Sequence, residues 1–109
     1  FPDTVAKGAH PIDIHSSNSN AQELIWLKEP YNIPYRSLVP ETSRNILVAG
    51  RCISASREAF ASIRVQAQCM ALGQAAGTAA AMCSATGQSV AELDGALVRR
   101  RLAEQGALV

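Results

Sequence analysis

Two adjoining stretches decide the fold of this chain: Asn45–Ser54 (NILVAGRCIS) and the Ala/Gly-rich segment 64–83. The first is short, apolar and rich in β-branched residues, and it stops at Gly50, which predicts a buried strand that ends in a tight turn. The second has no proline and is dominated by alanine, which predicts a long helix from about Arg64 to about Gly87. Strand, glycine turn and helix in this order are the layout in which α/β proteins hold ligands.

The predicted long helix carries no charge from residue 65 to residue 83, so it must be tested as a membrane span. Its glutamines and its alanine filler make membrane insertion unfavourable, and we interpret it as a helix of a soluble domain. Small residues line two of its faces, which predicts a fully buried helix in close contact with neighbours on both sides. These residues are Ala67, Ala71, Ala75 and Ala79 on one face, and Gly73, Gly77 and Ala81 on the other.

The amino-terminal third predicts a β-hairpin. Residues 1–8 have no clear pattern and are expected to be irregular, whereas 11–15 alternate apolar and polar residues as a strand does. Residues 23–28 predict a second strand that pairs with the first. Prolines then divide 30–40, so we expect neither a regular helix nor a central strand there, and a segment held by side chains rather than by a backbone ladder.

The carboxyl-terminal part predicts one more helix. Residues 54–62 are small and polar and are expected to form at most one helical turn. Ser89 or Asp94 can cap a last helix, with Asp94 immediately before Gly95–Glu104, and Gly106 is placed to end it. The apolar stripe of this helix is formed by Leu93, Leu97, Val98 and Leu102.

Composition limits the functions that the chain can have. The net charge of +1 gives no electrostatic support for a nucleic-acid or membrane partner. Charged residues are only 17% of a 109-residue chain that starts at Phe1, so we expect a piece of a longer protein, with some of its surface covered by other residues. The three cysteines form no CxxC pair and sit in apolar settings, so we predict buried free thiols in a reducing, cytoplasmic compartment and no metal site.

The residues alone leave two interpretations of the strand–turn–helix unit open. The helix would present free backbone N–H groups and its positive dipole end at Arg64 to Gln68, which favours a cofactor or anion site next to Gly50. The other interpretation is a tightly packed core helix without a ligand. Arg36, in the proline-rich segment, is either a surface or carbonyl-capping arginine or one that a rigid loop aims into a pocket.

Several separated motifs closely resemble the carboxyl-terminal part of the FAD-dependent oxidoreductase family, which belongs to the glutathione-reductase-type flavoproteins. They are HPIDIH (10–15), IPYRSLVP (33–40), NILVAGRCIS (45–54), SIRV (62–65) and CMALGQAAGTAAA (69–81). The resemblance covers roughly residues 9–106 in order. It implies an α/β fold (α+β as a fragment), namely the C-terminal piece of a Rossmann-like FAD-binding domain. That piece would contain a β-hairpin, one buried parallel-type strand, the long helix and a terminal amphipathic helix.

The resemblance also implies a division of the chain and a cofactor site. Residues 1–44 would belong to the substrate-side or cap region, and 45–109 to the FAD-binding domain. Gly50, Arg51 and Cys52 match the position beside the FAD ribityl and phosphates, where related flavoproteins carry a Gly-acid pair; here an arginine replaces the acid.

Arg64, Val65 and Gln66 match the helix start that points at the flavin pyrimidine. The resemblance implies that the helix dipole and Arg64 there favour the negative charge of reduced flavin. The glycine-rich phosphate motif of the family is absent from these residues, so the remainder of the FAD domain would be a partner, and the chain could also self-associate.

The resemblance implies hydride transfer between a small-molecule substrate and FAD. Such a reaction needs a proton carrier and a cation for an anionic substrate, and His15 and Arg36 are the selected catalytic residues. Arg57 and Glu58 are further candidates on the substrate side. A non-catalytic α/β association module, or a fragment that no longer binds FAD, is the alternative function.

Overall fold

The structure is a computed structural model that describes residues 1–9, 12–15, 22–25, 30–63 and 66–109. This part of the chain is a small mixed α/β arrangement of two antiparallel sheets, each with two strands, followed by helices. Its elements in chain order are β1 (Thr4–Gly8), β2 (Ile12–His15), β3 (Gln22–Ile25), β4 (Tyr31–Pro34), a 3-10 helix (Tyr35–Leu38), α1 (Arg57–Ile63), α2 (Gln66–Thr86) and α3 (Gly95–Glu104).

The predicted hairpin is confirmed as the antiparallel pair β2–β3. Ile12 lies opposite Ile25, and His15 lies opposite Gln22. Residue 11 and residues 26–28, which the prediction included in the strands, lie outside the described residues.

The second sheet corrects two predictions. Residues 4–8, expected to be irregular, form β1, and β1 pairs with β4 in the segment that was expected to have no backbone ladder. A two-stranded sheet tolerates Pro34 because this residue ends its strand, where the missing N–H breaks no ladder. The prediction treated the prolines as breakers and overlooked the edge position.

The predicted strand at 45–50 is wrong. These residues have no regular secondary structure and join neither of the described sheets, and Ile46 is 56% exposed. Two backbone hydrogen bonds attach the segment and the turn after it to the 3-10 helix: Val48 N–H donates to Leu38 O at 2.9 Å, and Ser54 N–H donates to Ser37 O at 3.1 Å. An apolar β-branched run forms a buried strand only where a neighbouring strand offers ladder partners, and the described residues offer none here.

The helices agree with the sequence in position. α2 spans Gln66–Thr86 and is followed by Gly87 at φ +76°. α3 spans Gly95–Glu104, and Asp94 caps it by accepting from Ala96 N–H at 3.0 Å. Residues 57–63 form α1, longer than the single turn expected, because Ser56 Oγ accepts from Ala59 N–H and caps it.

The prediction that α2 is fully buried is wrong for this chain. One face is buried, with Leu72, Ala75, Ala79 and Cys83 among the core residues. The opposite face is exposed, and a methyl group added at Gly73 or Gly77 would meet no atom of the described residues within 4 Å, apart from the backbone of α2 itself and the adjoining residues. We call the residues Met70, Gly73, Gly77, Ala80 and Ser84 the exposed face of α2.

One core joins the β1–β4 sheet to the helices. β1 packs against α2 and α3, and the 3-10 helix packs against α3. Leu97 is an exception to the predicted stripe of α3, because it is 43% exposed. The buried apolar residues are Val5, Ala6, Ile33, Tyr35, Leu38, Ile53, Ile63, Leu72, Ala75, Ala79, Cys83, Val90, Leu93, Val98 and Leu102.

Candidate functional site

The Gly50 turn is built by local chemistry. Gly50 has φ +85°, a backbone conformation that side chains with a Cβ rarely adopt, and its carbonyl accepts from Ile53 N–H at 3.4 Å. Cys52 Sγ donates to Ala49 O at 3.3 Å across the same turn. Arg51 and Cys52 are exposed, so the turn presents a cation and a thiol at the surface.

The turn lies beside the first turns of α2. A methyl group added at Gly50 would be 3.8 Å from both Cβ and Sγ of Cys69. Cys69 Sγ in turn donates to Ile63 O at 3.8 Å, so one thiol contacts the glycine turn and the last residue of α1. The predicted proximity of the Gly50 turn to the amino end of the long helix is therefore present.

The amino end of α2 has the electrostatics of an anion site. Gln66 begins a helix of 21 residues, and its first turn contains no acidic residue to satisfy the free N–H groups. Gln66 is exposed. Arg64 and Val65, the other two residues predicted to bind there, lie outside the described residues.

Gln68 is a polar residue at this end of α2 that the sequence analysis did not select as a ligand. It is only 6% exposed, and its side-chain oxygen has no hydrogen-bond donor within the described part of the chain. Buried carbonyl oxygens nearly always have a donor, so this atom needs one. The helical phase could have indicated only that Gln68 is buried, because it shares one buried stripe with residues 72, 75, 79 and 83; the oxygen without a donor is visible only in the packing.

Arg36 is engaged at the protein surface. Its Nη1 donates to Asp3 Oδ1 at 3.1 Å, and its guanidinium lies 4.7 Å from the centre of the Phe1 ring. Its side chain is 62% exposed. The Arg36 side chain is therefore engaged with Asp3 and Phe1, and a catalytic role for it stays a prediction.

The remaining candidates are placed as follows. His15 is the last residue of β2, and its side chain lies outside the described part. Arg57, the first residue of α1, is exposed, and the side chain of Glu58 is not described. The geometry thus groups Gly50, Arg51, Cys52 and the start of α2, and it leaves the catalytic predictions untested.

The cysteine prediction is correct about free thiols and wrong about burial. None of the three cysteines forms a disulfide, but Cys52 is exposed, Cys69 is half-buried and Cys83 is buried. Burial raises the pKa of the Cys83 thiol, and the negative charge of Glu92 raises it further. Cys52 is exposed because the Gly50 turn lies at the surface rather than at the end of a buried strand.

The described residues offer neither a metal cluster nor a membrane span. No group of three His, Cys, Asp or Glu side chains in this part of the chain is arranged to hold a metal ion. None of the described helices has the length and apolar character needed to cross a membrane.

A family model described as FAD dependent oxidoreductase matches residues 1–102. No curated protein and no solved structure shows significant similarity to the chain.

Proposed function

The chain belongs to the FAD-dependent oxidoreductase family, whose cofactor is FAD, and on that premise we propose that it forms the flavin-ring side of an FAD site. The family match covers nearly the whole chain and supports an oxidoreductase that acts on a small-molecule substrate. The further proposal is that residues 45–109 are the carboxyl-terminal part of a Rossmann-like FAD domain. Residues 1–44 would then belong to the substrate side.

The observation that carries this proposal is the contact between the Gly50 turn and Cys69 near the amino end of α2. FAD is an anionic ligand with a large ring that also has N–H and C=O groups. The cluster supplies the amino end of a long helix without acidic residues in its first turn, a surface arginine, and a buried side-chain oxygen that has no donor among the described residues. These groups suit the charge and the hydrogen-bonding capacity of the cofactor.

The residues have separate tasks in this proposal. Gly50 allows the close approach of ligand to backbone, and Arg51 and Cys52 lie at the ribityl and phosphate side. The start of α2, with Arg64, Val65 and Gln66, stabilises negative charge at the pyrimidine side of the ring. FAD, when bound, supplies the hydride-accepting chemistry.

On the substrate side, the proposal assigns roles to His15 and Arg36. His15 is a proton carrier by residue type, and Arg36 is a cation for an anionic substrate. For Arg36 to bind a substrate, its exposed ion pair with Asp3 has to open, which costs little because exposed pairs contribute only about 0–1 kcal/mol.

The exposed face of α2 supports the proposal that the remainder of the FAD domain is a partner. Small residues on a helix allow a second element to approach closely, and this face has neither charge nor bulk apart from Met70. The alternative is that a second copy of the chain packs against the same face.

The first experiment compares FAD binding by two glycine variants of the full-length protein that contains this chain. Gly50→Ala places a side chain at φ +85° beside Cys69, and Gly87→Ala places one at φ +76° at the far end of α2, where no atom is within 4 Å. Both substitutions carry a backbone cost of about 1–2 kcal/mol. We expect weaker FAD binding, measured by quenching of flavin fluorescence, for Gly50→Ala alone.

The colour of the purified full-length protein tests the proposed function directly. The full-length protein should be yellow, with flavin absorbance, and a colourless protein that takes up no added FAD would refute the proposed function. The 109-residue chain alone should bind FAD weakly; tight binding by the chain alone would contradict the proposed division of the site.

The second candidate function is a non-catalytic association module. The exposed face of α2 favours it, since a face of this kind is suited to packing against another chain. A full-length protein that associates through this face but takes up no FAD would support this alternative.

A further inference from the structure

Tyr31 connects the β1–β4 sheet to α1. Its hydroxyl oxygen lies 2.6 Å from Ser62 Oγ, a hydrogen bond between residues 31 positions apart in the chain. Tyr31 is the first residue of β4, and Ser62 is the penultimate residue of α1 and is 1% exposed. The bond therefore joins a sheet to the end of a helix.

The Tyr31 ring lies against β1 at Gly8. Gly8 lies opposite Tyr31 in the sheet, and a methyl group added at Gly8 would come within 2.3 Å of the ring carbon Cζ and the hydroxyl oxygen. The glycine is thus required for the ring to lie across the β1 backbone. A ring fixed in this way gives the hydroxyl a defined position.

The tyrosine remains neutral over the ordinary pH range. Burial raises the pKa of Tyr31, and the hydrogen bond with Ser62 offsets only part of this effect. The neutral hydroxyl can donate or accept, so the bond with Ser62 is maintained at neutral pH.

The end of α1 lies directly before the start of α2. Two residues separate Ile63 from Gln66, and Cys69 Sγ donates back to Ile63 O at 3.8 Å. The same Cys69 contacts the Gly50 turn. Ser62 is followed directly by Ile63, whose carbonyl accepts from Cys69, and Cys69 lies beside the Gly50 turn. The position of Ser62 therefore affects the Gly50 turn and the start of α2, which are the groups proposed to bind the flavin.

We propose that Tyr31 is a positioning residue for the flavin site: its hydrogen bond to Ser62 fixes the amino end of α2 relative to the β1–β4 sheet. This inference rests on the proposed function. Tyr31 does not itself touch the cofactor in this proposal, and its effect passes through α1 and the start of α2. Such indirect partners commonly decide how well directly bound groups are oriented.

The experiment uses the full-length protein and four variants. Tyr31→Phe and Ser62→Ala each remove one partner of the bond, and their double variant tests whether the two act as a unit. The control is Tyr35→Phe, which also removes one hydroxyl hydrogen bond, here to Val90 O at 2.7 Å, in the segment after the carboxyl end of α2. The readouts are the Kd for FAD and the midpoint potential of the bound flavin.

We expect Tyr31→Phe and Ser62→Ala each to raise the Kd for FAD about three- to tenfold, the equivalent of one hydrogen bond, and to shift the flavin potential. The effects of the two substitutions should be less than additive in the double variant. Tyr35→Phe should lower thermal stability without changing the Kd or the potential. Ser62→Ala keeps the test informative if Tyr31→Phe fails to fold.

Two outcomes separate the inference from its premise. A wild-type protein that takes up no FAD overturns the proposed function. A wild-type protein that binds FAD, together with Tyr31→Phe and Tyr35→Phe that bind it equally well, overturns the positioning role of Tyr31 and leaves the proposed function standing.

Discussion

Alanine substitutions at Gly73 and Gly77 test whether the exposed face of α2 is free in this chain. Both glycines are exposed inside a 21-residue helix, and an added methyl group at either would meet no atom within 4 Å. Glycine in a helix interior costs about 0.5–1 kcal/mol relative to alanine. Since neither methyl group gains or loses a tertiary contact, we expect each substitution to stabilise the 109-residue chain by about this amount.

The two effects should add to about 1–2 kcal/mol in the double variant. For a domain of this size that corresponds to a rise in Tm of about 4–8 °C for each kcal/mol. The measurement is urea unfolding and thermal unfolding followed by circular dichroism at two protein concentrations, so that any contribution from self-association is visible.

Two control variants set the scale. Ala80→Gly, on the same exposed face, should lower the stability by about the amount that each glycine substitution adds. Gly95→Ala should destabilise by about 1–3 kcal/mol, because its methyl group would come within 2.6 Å of Asp3 Cβ and 2.8 Å of Tyr35 Cβ.

The reasoning is refuted if Gly73→Ala and Gly77→Ala destabilise the dilute chain, since the face would then be packed against something within it. Destabilisation that grows with protein concentration would instead identify self-association through this face. If the remainder of the FAD domain covers this face in the full-length protein, the same substitutions should destabilise the protein instead of stabilising it. The added methyl groups would then overpack the contact and lower the FAD content.

Three further predictions concern stability and catalysis. Burial, with repulsion from Cys83, raises the pKa of Tyr35 to about 12. Because the native state favours the neutral hydroxyl, Tyr35 contributes fully to stability below about pH 10, and this contribution is lost as the pH rises towards 12. Tyr35→Phe should therefore reduce the fall in the free energy of unfolding between pH 9 and pH 11, and an unchanged fall would contradict the burial of this hydroxyl. Asp94→Ala should destabilise the chain by about 1 kcal/mol in urea unfolding, whereas Asp94→Ser, which keeps a capping oxygen, should be close to neutral. Arg36→Gln should change the unfolding free energy by less than about 1 kcal/mol, since its pair with Asp3 is exposed, but should raise the KM for substrate in the full-length protein if Arg36 binds an anionic substrate.

The helical half of the fold could be predicted from the sequence because its signals are local. Asp94 caps α3 with its own side chain, and Gly87 and Gly106 follow α2 and α3 with positive φ. Alanine content decides that 66–86 is helical whatever surrounds it. The turn at Gly50 was predicted for the same reason.

The sheets could be predicted only in part, because strand pairing depends on distant residues. β2 and β3 are close in sequence and alternate clearly, so their pairing was foreseen. β1 and β4 are separated by more than twenty residues, and nothing in Thr4–Gly8 indicates which segment it will pair with. The apolar run at 45–50 shows the converse: it has the composition of a strand, but the described residues offer it no ladder.

In the candidate site too, local features could be predicted from the sequence and long-range contacts could not. The residues of the Gly50 turn and the helix start could be selected from sequence, since a glycine turn before a long helix is a local pattern. That Arg36 pairs with Asp3 across 33 positions could not be foreseen, because ion pairs between distant residues depend on the folded backbone. Gln68 was missed because its significance lies in an unpaired oxygen, which only the packing around it reveals.

The sequence by itself determined α2, α3, the Asp94 cap, the turn at Gly50 and the family, because each depends on neighbouring residues or on ordered motifs along the chain. The tertiary structure alone decided that β1 pairs with β4, that the 45–50 run joins no sheet, and that one face of α2 is exposed. It also decided that Cys69 joins the Gly50 turn to the end of α1, and that Tyr31 reaches Ser62. The physical reason is that burial and long-range hydrogen bonds depend on which surfaces meet, and the local pattern of residues does not contain that information.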